Sequence, residues 1–181
     1  VRLLARKMKS GKTISPEEIK SAPLMQNVRE RDVVDLFKFP APRFHDGDGG
    51  RYMGTGDCLI NAEPESGFIN AGTYRMQLHD RNLLGLWMSP GQHGRMICTK
   101  YWEQGKNCPV VVTFSPDPLL FTLAHTKVAW GNSELDYAGG LMGQPLQIIR
   151  GPLTGLPIPA GAEIAIEGEV VQRLARKRGI E

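Results

Sequence analysis

Short strand-like runs alternate with helix-start signals along this chain, and glycine- or proline-rich loops separate most of them. That alternation limits the fold more than any other feature. The stretches 57–61, 67–78, 83–88, 145–150 and 162–167 read as strands, and "CPVVVTF" over 108–114 reads as a short β-branched one suited to burial. "SPEEIKSAP" predicts a helix capped by Ser15, with Pro16 in its first position and Glu17 and Glu18 at the positive end of the dipole. "GQHGRMICTKYWEQG" predicts a second helix, closed by Gly105. "SPDPLLFTLAHTKVAW" predicts a third, capped by Ser115, and "NSELDYAGGLMG" a fourth, capped by Ser133. Residues 1–12 read as a basic helical turn or two, and Pro40 to Gly56 as loop with short extended pieces. Strands interrupted by helices, with long loops, predict an α+β domain built on a sheet or barrel.

The 181 residues fit one domain with room for a structured extension, and 41% hydrophobic and 23% charged residues are ordinary for a chain with a buried core. The net charge of +3 is spread unevenly. Arg2, Arg6, Lys7, Lys9 and Lys12 crowd one end; Arg173, Arg176, Lys177 and Arg178 crowd the other. Neither cluster contains Phe, Tyr or Trp, so both read as solvated ends, and no nucleic-acid partner is expected. No apolar run approaches the ~20 residues that span a bilayer, and no signal peptide opens the chain, so the expectation is a cytoplasmic protein with no membrane partner. Cys58, Cys98 and Cys108 have no CxxC spacing and an odd count, which predicts buried reduced thiols. The start at Val1 and the end inside a charged run are expected of a piece of a longer protein.

Phosphate-loop, dinucleotide and nucleophile-elbow patterns are all missing. A dispersed polar set stands in their place. Asn70 lies in a strand, His93 at a helix start and Glu134 in the first turn of another helix. An amide oxygen, an imidazole nitrogen and a carboxylate suit a divalent ion such as Mn²⁺ or Mg²⁺, and the nearby helix N-termini suit an anion. Each of the three residues also has a plain structural reading. Arg75 reads either as a solvent-facing strand residue or as a fork for a carboxylate or phosphate. His45, His79 and His125 read as structural or exposed. "GFINAGTYRMQLHD" poses a packing problem, because Asn70, Gly72 and Thr73 occupy places where bulky residues would pack better. Close approach of a ligand to the backbone is one explanation.

Six ordered blocks, "KFPAPRFHDGDGGRYMGTG", "GFINAGTYRMQLHD", "PGQHGR", "YWEQGKNCPVVVTFSPDP", "GNSELDYAGGLMGQP" and "IPAGAEIAIEGEV", resemble the central part of the UbiD family of decarboxylases. The resemblance runs from about Ser21 to about Val171. It implies a flavin-reductase-like split β-barrel with flanking helices, holding prenylated FMN for non-oxidative decarboxylation of aromatic or α,β-unsaturated carboxylic acids. By that resemblance Asn70, His93 and Glu134 hold Mn²⁺ (or Mg²⁺) against the cofactor phosphate. Potassium falls near Ala71 and the Ala124–Thr126 region. Gly72, Thr73, Tyr74 and Gln92 join the cofactor site, and Arg75 contacts both cofactor and substrate carboxylate. It also implies a flavin prenyltransferase as cofactor supplier and a homo-oligomer in the full-length protein. Residues 31–171 are expected to form the cofactor domain, 1–30 a helical extension, and 172–181 a basic tail leading to a further domain. The family's proton-donating block, Glu-Gly-Pro-Phe-Gly-Glu, is not among these residues, so the chain alone is expected to bind cofactor without turnover. Two rival readings are a non-catalytic flavin-binding or assembly module and an FMN reductase-like split barrel that needs no metal.

Overall fold

The structure, a computed structural model, describes residues 11–54 and 56–172. The predicted helix at 1–12 and the predicted tail fall almost wholly outside them.

The centre of the fold is a sheet buried on both faces. Strand β3 (Asp57–Ala62) pairs antiparallel with β4 (Ile69–Gly72) on one side and with β7 (Cys108–Phe114) on the other. Strand β10 (Ile164–Val170) completes the order β10-β7-β3-β4. Cys58 and Ile60 point into one core, together with Ala71, Val111 and residues of the later helices. Leu59 points into the other, with Val110, Val112, Met76 and Ile97. Leu59 and Ile60 are fully buried, and burying such side chains stabilises a fold by about 1.5–3 kcal/mol each.

Helix α1 (His93–Glu103) packs on one face through Ile97 and Cys98. Helices α2 (Pro118–Ala124) and α3 (Glu134–Met142) pack on the other, through Leu120, Leu123, Leu135, Ala138 and Leu141. Ser133 caps α3 as expected, its Oγ accepting the Leu135 N–H at 3.2 Å, and Gly143 ends it at φ 82°. The cap of α2 is Asp117 rather than Ser115: its Oδ1 accepts the Leu119 N–H at 2.8 Å. Ser115 lies at φ 53°, outside the extended range that an N-cap uses.

The expected helix at Ser15 does not form. Strand β1 (Glu17–Glu18) runs parallel to β8 (Gln147–Arg150), which pairs in turn with β9 (Pro157–Pro159). Glu17 N donates to Leu146 O at 3.0 Å and Ile19 N to Ile148 O at 2.8 Å. Between Pro16 and Pro23 only six residues are free to form a helix, too few to nucleate one against these sheet bonds.

The single strand expected over 67–78 is two. Past Gly72 the chain leaves the central sheet, and β5 (Arg75–Asp80) joins a third sheet between β2 (Arg51–Tyr52) and β6 (Leu83–Trp87). Thr73 and Tyr74 make the switch. The carboxylate of Asp57 holds the turn, Oδ1 accepting the Tyr74 N–H at 3.1 Å.

Candidate functional site

Strand β4 meets the N-termini of two helices. Asn70, 2% exposed, lies on β4 directly opposite Asn61 of β3. Its Nδ2 donates to Asn61 Oδ1 at 3.0 Å. Asn61 Nδ2 donates in turn to Gly94 O at 3.1 Å, inside the first turn of α1 and one residue beyond His93. Tyr74 closes the loop, its hydroxyl accepting the Gly94 N–H at 3.2 Å. From the opposite face Glu134, the first residue of α3, reaches β4, where Oε2 accepts the Ala71 N–H at 2.8 Å. Strand β4 thus carries Asn70, is bonded directly to the helix that begins with Glu134 through Ala71, and is linked to the helix that begins with His93 through Asn61 of β3.

Glu134 is 3% exposed, and among the described residues no Lys, Arg or His pairs with it. Burial pushes its carboxyl up to about 7, against the Ala71 N–H that favours the charged form. His93 is half-buried, its ring 5.1 Å from Trp130 and 6.3 Å from Phe68, edge to face in both cases. Burial, and then the charge of Lys127, lower its pKa, so the ring is neutral at pH 7 and has a lone pair to give. A buried carboxylate without a cationic partner, a neutral imidazole and an amide form a donor set that fits a divalent cation. Among the described residues no three His, Cys, Asp or Glu side chains gather at one point.

The other predicted residues fall around this centre. The space that Gly72 leaves is taken by the Tyr74 ring: a Cβ at 72 would lie 2.6 Å from the Tyr74 hydroxyl oxygen. Gly94 leaves the same kind of space on the other side, where a Cβ would lie 2.5 Å from that oxygen. Tyr74 is buried between them, and burial raises its phenol above the usual range despite hydrogen bonds from Asn70 and Gly94. Thr73 is half-buried, and Arg75 is exposed at the start of β5, opposite Trp87. Gln92 is exposed and supports the turn into α1, its Oε1 accepting the Ser89 N–H at 2.8 Å. In the region expected to hold potassium, the Thr126 N–H returns to Leu123 O at 2.7 Å just past α2.

Two residues of the site were missed in the sequence, Asn61 and Asp57, both fully buried. The signal for Asn61 was available: across a hairpin that turns between Ala62 and Ile69, it falls opposite Asn70. Asp57 left no comparable signal, since an Asp at a strand start usually reads as a turn residue.

The family model described as "3-octaprenyl-4-hydroxybenzoate carboxy-lyase Rift-related domain" (UbiD) matches residues 17–179, and the chain belongs to that family of decarboxylases. It is 36% identical over 172 residues to a phenolic acid decarboxylase of Streptomyces sp. (strain D7), covering 92% of this chain and 36% of that protein. It is 34% identical over 157 residues to the pyrrole-2-carboxylic acid decarboxylase of Pseudomonas aeruginosa, covering 87% and 32%. Its fold superposes on the vanillic acid decarboxylase of Sedimentibacter hydroxybenzoicus in closed form, with a TM-score of 0.86 at 30% identity over 93% of this chain and 37% of that one. An evolved dimeric form of the UbiD-class enzyme HmfF from Pelotomaculum thermopropionicum, in complex with prFMN, gives 0.85 at 28% identity, covering 93% and 39%. The chain spans about a third of the length of the curated relatives it matches.

Proposed function

We propose that this chain is the prenylated-FMN- and metal-binding domain of a UbiD-type carboxy-lyase that acts on an aromatic or α,β-unsaturated carboxylic acid. The observation that carries the reading is the meeting on β4 of Asn70 with the helix starts that bear His93 and Glu134. The names of the relatives, acting on phenolic and pyrrole-2-carboxylic acids, support the substrate class, and prFMN in a UbiD-class neighbour supports the cofactor. On this reading the three small sheets are the split barrel, with residues 31–171 as the binding unit. We place Mn²⁺ (or Mg²⁺) on Asn70 Oδ1, the imidazole of His93 and the carboxylate of Glu134, against the cofactor phosphate. Potassium falls near Ala71 and residues 124–126. When bound, the prenylated flavin supplies the electron sink for the pair left behind as CO₂ departs.

The chain's own residues hold and orient. The helix starts at His93 and Glu134 bring the positive ends of two helix dipoles to the site, which favours an anion there. Arg75 is exposed, and among the described residues it forms no ion pair, which leaves its guanidinium fork for a substrate carboxylate. Protonation of the product carbon needs a positioned acid. The Glu-Gly-Pro-Phe-Gly-Glu block is not among the 181 residues, so the chain alone binds cofactor and does not turn over. The full-length protein is proposed to be a cytoplasmic homo-oligomer supplied with cofactor by a flavin prenyltransferase.

Co-expression with a flavin prenyltransferase, followed by native mass spectrometry and a visible spectrum, tests the reading. The expected result is retained prenylated FMN with one divalent ion, the ion lost in Asn70→Ala and in Glu134→Ala. Retention of plain FMN with no dependence on Asn70 would instead establish a reductase-like flavin module.

A further inference from the structure

The backbone of α1 dictates which atom of Asn70 faces the proposed metal. A carbonyl oxygen can only accept, so Gly94 O requires that Asn61 present its nitrogen, at 3.1 Å. Two sulfurs on the same side, Cys98 Sγ and Cys108 Sγ, each 3.8 Å from that nitrogen, accept as well. With its nitrogen committed there, Asn61 has only Oδ1 to turn towards β4. Asn70 must then offer Nδ2, the donor in the 3.0 Å bond between them. Both asparagines are nine-tenths or more buried, so these protein partners decide how each amide is turned. The polarity set by one backbone carbonyl passes through Asn61 and leaves Asn70 Oδ1 as the free atom.

We infer that Asn61 is a positioning residue for the metal site: it fixes the amide of Asn70 so that the oxygen, and not the nitrogen, faces the ion. The inference rests on the metal reading proposed above. A flipped Asn70 would turn an NH₂ group, which has no lone pair to give, towards a cation. Asn61 also ties the strand that carries Asn70 to the helix that opens with His93, so one side chain sets the orientation of one ligand and the anchorage of another. Loss of such an outer partner typically weakens metal binding by about 10–100-fold.

The test is Mn²⁺ binding to the chain in the presence of FMN, followed by the electron paramagnetic resonance signal of free Mn²⁺, in a cycle of Asn61→Leu with Asn70→Asp. Asn61→Leu is expected to weaken Mn²⁺ binding about 10-fold or more where position 70 is Asn. Where position 70 is Asp, either face of the side chain offers an oxygen, and Asn61 Oδ1 opposes it. There Asn61→Leu is expected to leave affinity unchanged or raise it. Equal weakening in both backgrounds would mean a purely structural Asn61 and overturn the inference while the metal reading stands. If the wild-type chain binds no Mn²⁺, or Asn70→Ala leaves its affinity as it was, the metal reading fails and takes the inference with it. A readout independent of any variant is hydrogen exchange of the Asn70 side-chain NH₂ in the metal-free wild-type chain. Slow exchange is expected of a buried, bonded amide; exchange at the rate of exposed side-chain amides overturns the inference even if Asn61→Leu does not fold.

Discussion

Asp57 should make this fold less stable as pH rises through mild acidity, and the structure sets the size of the effect. The side chain is fully buried, Oδ1 takes the Tyr74 N–H, and Oδ2 has no hydrogen-bond partner. Burial pushes its carboxyl from the ordinary 3.8 up to about 6, opposed by the Tyr74 amide and more weakly by His125. A carboxyl raised in the folded state holds its proton more tightly there than in the unfolded chain. Its contribution is therefore complete below pH 3.8 and is lost as pH rises to about 6. Two pKa units at 1.36 kcal/mol each make the loss about 3 kcal/mol. Asn at this position keeps the acceptor for Tyr74 and has no charge to bury. Urea unfolding of wild type and Asp57→Asn, repeated from about pH 4 to about pH 8, isolates the effect, because all other titrating groups are shared. The stability of the wild type relative to the variant should fall by about 3 kcal/mol across this window, equivalent at the upper end to roughly 6–12 °C in Tm. A stability difference that stays constant across the window would refute the reasoning, because Asp57 would then titrate alike in both states.

Other expectations follow from close contacts. Gly94→Ala places a methyl against the Tyr74 hydroxyl, and should cost about 1–3 kcal/mol in urea unfolding; Tyr74→Val in the same chain should recover part of it, whereas additive losses would be wrong for this packing. Glu134→Ala leaves the buried Ala71 N–H unpaired and should destabilise by about 1–3 kcal/mol, while Glu134→Gln keeps the acceptor and should cost clearly less in the same assay. Cys58, Cys98 and Cys108 are free and fully buried, so an aromatic disulfide reagent should label none of them in the native state and all three in urea.

Local signals revealed the elements whose stability is local. Ser133 and Gly143 bracket α3 by caps that act within one turn, and the β-branched run of β7 needs only burial to be a strand. The failures share a cause: at each, a distant partner decides. Glu17 and Glu18 have helix-start grammar, yet Leu146 and Ile148 supply the bonds that make them extended. Asp57 and Asn61 sit in a strand buried on both faces, where alternation no longer separates inside from outside. Arg75, read in the sequence as either solvent-facing or a carboxylate fork, is exposed in the structure, and its fork role stays a proposal. Residue chemistry alone could group Asn70, His93 and Glu134 as candidate ligands beside their structural readings, and only the family resemblance favoured the ligand reading, since spacings of 23 and 41 residues carry no geometric information before the fold is known.

The small and polar residues of 70–74 have two physical explanations, and the structure separates the part each can claim. Gly72 and Gly94 leave room for the Tyr74 ring, and Tyr74 is held by Asp57 where the strand leaves one sheet for another. That accounts for Gly72 and for the break in the strand without any ligand. Packing does not account for Asn70 or Glu134, which are buried polar groups that an apolar pair could replace at lower desolvation cost. The sheet switch therefore explains why the strand is interrupted, and the proposed metal site would give the polar residues beside the interruption a use that packing alone does not require.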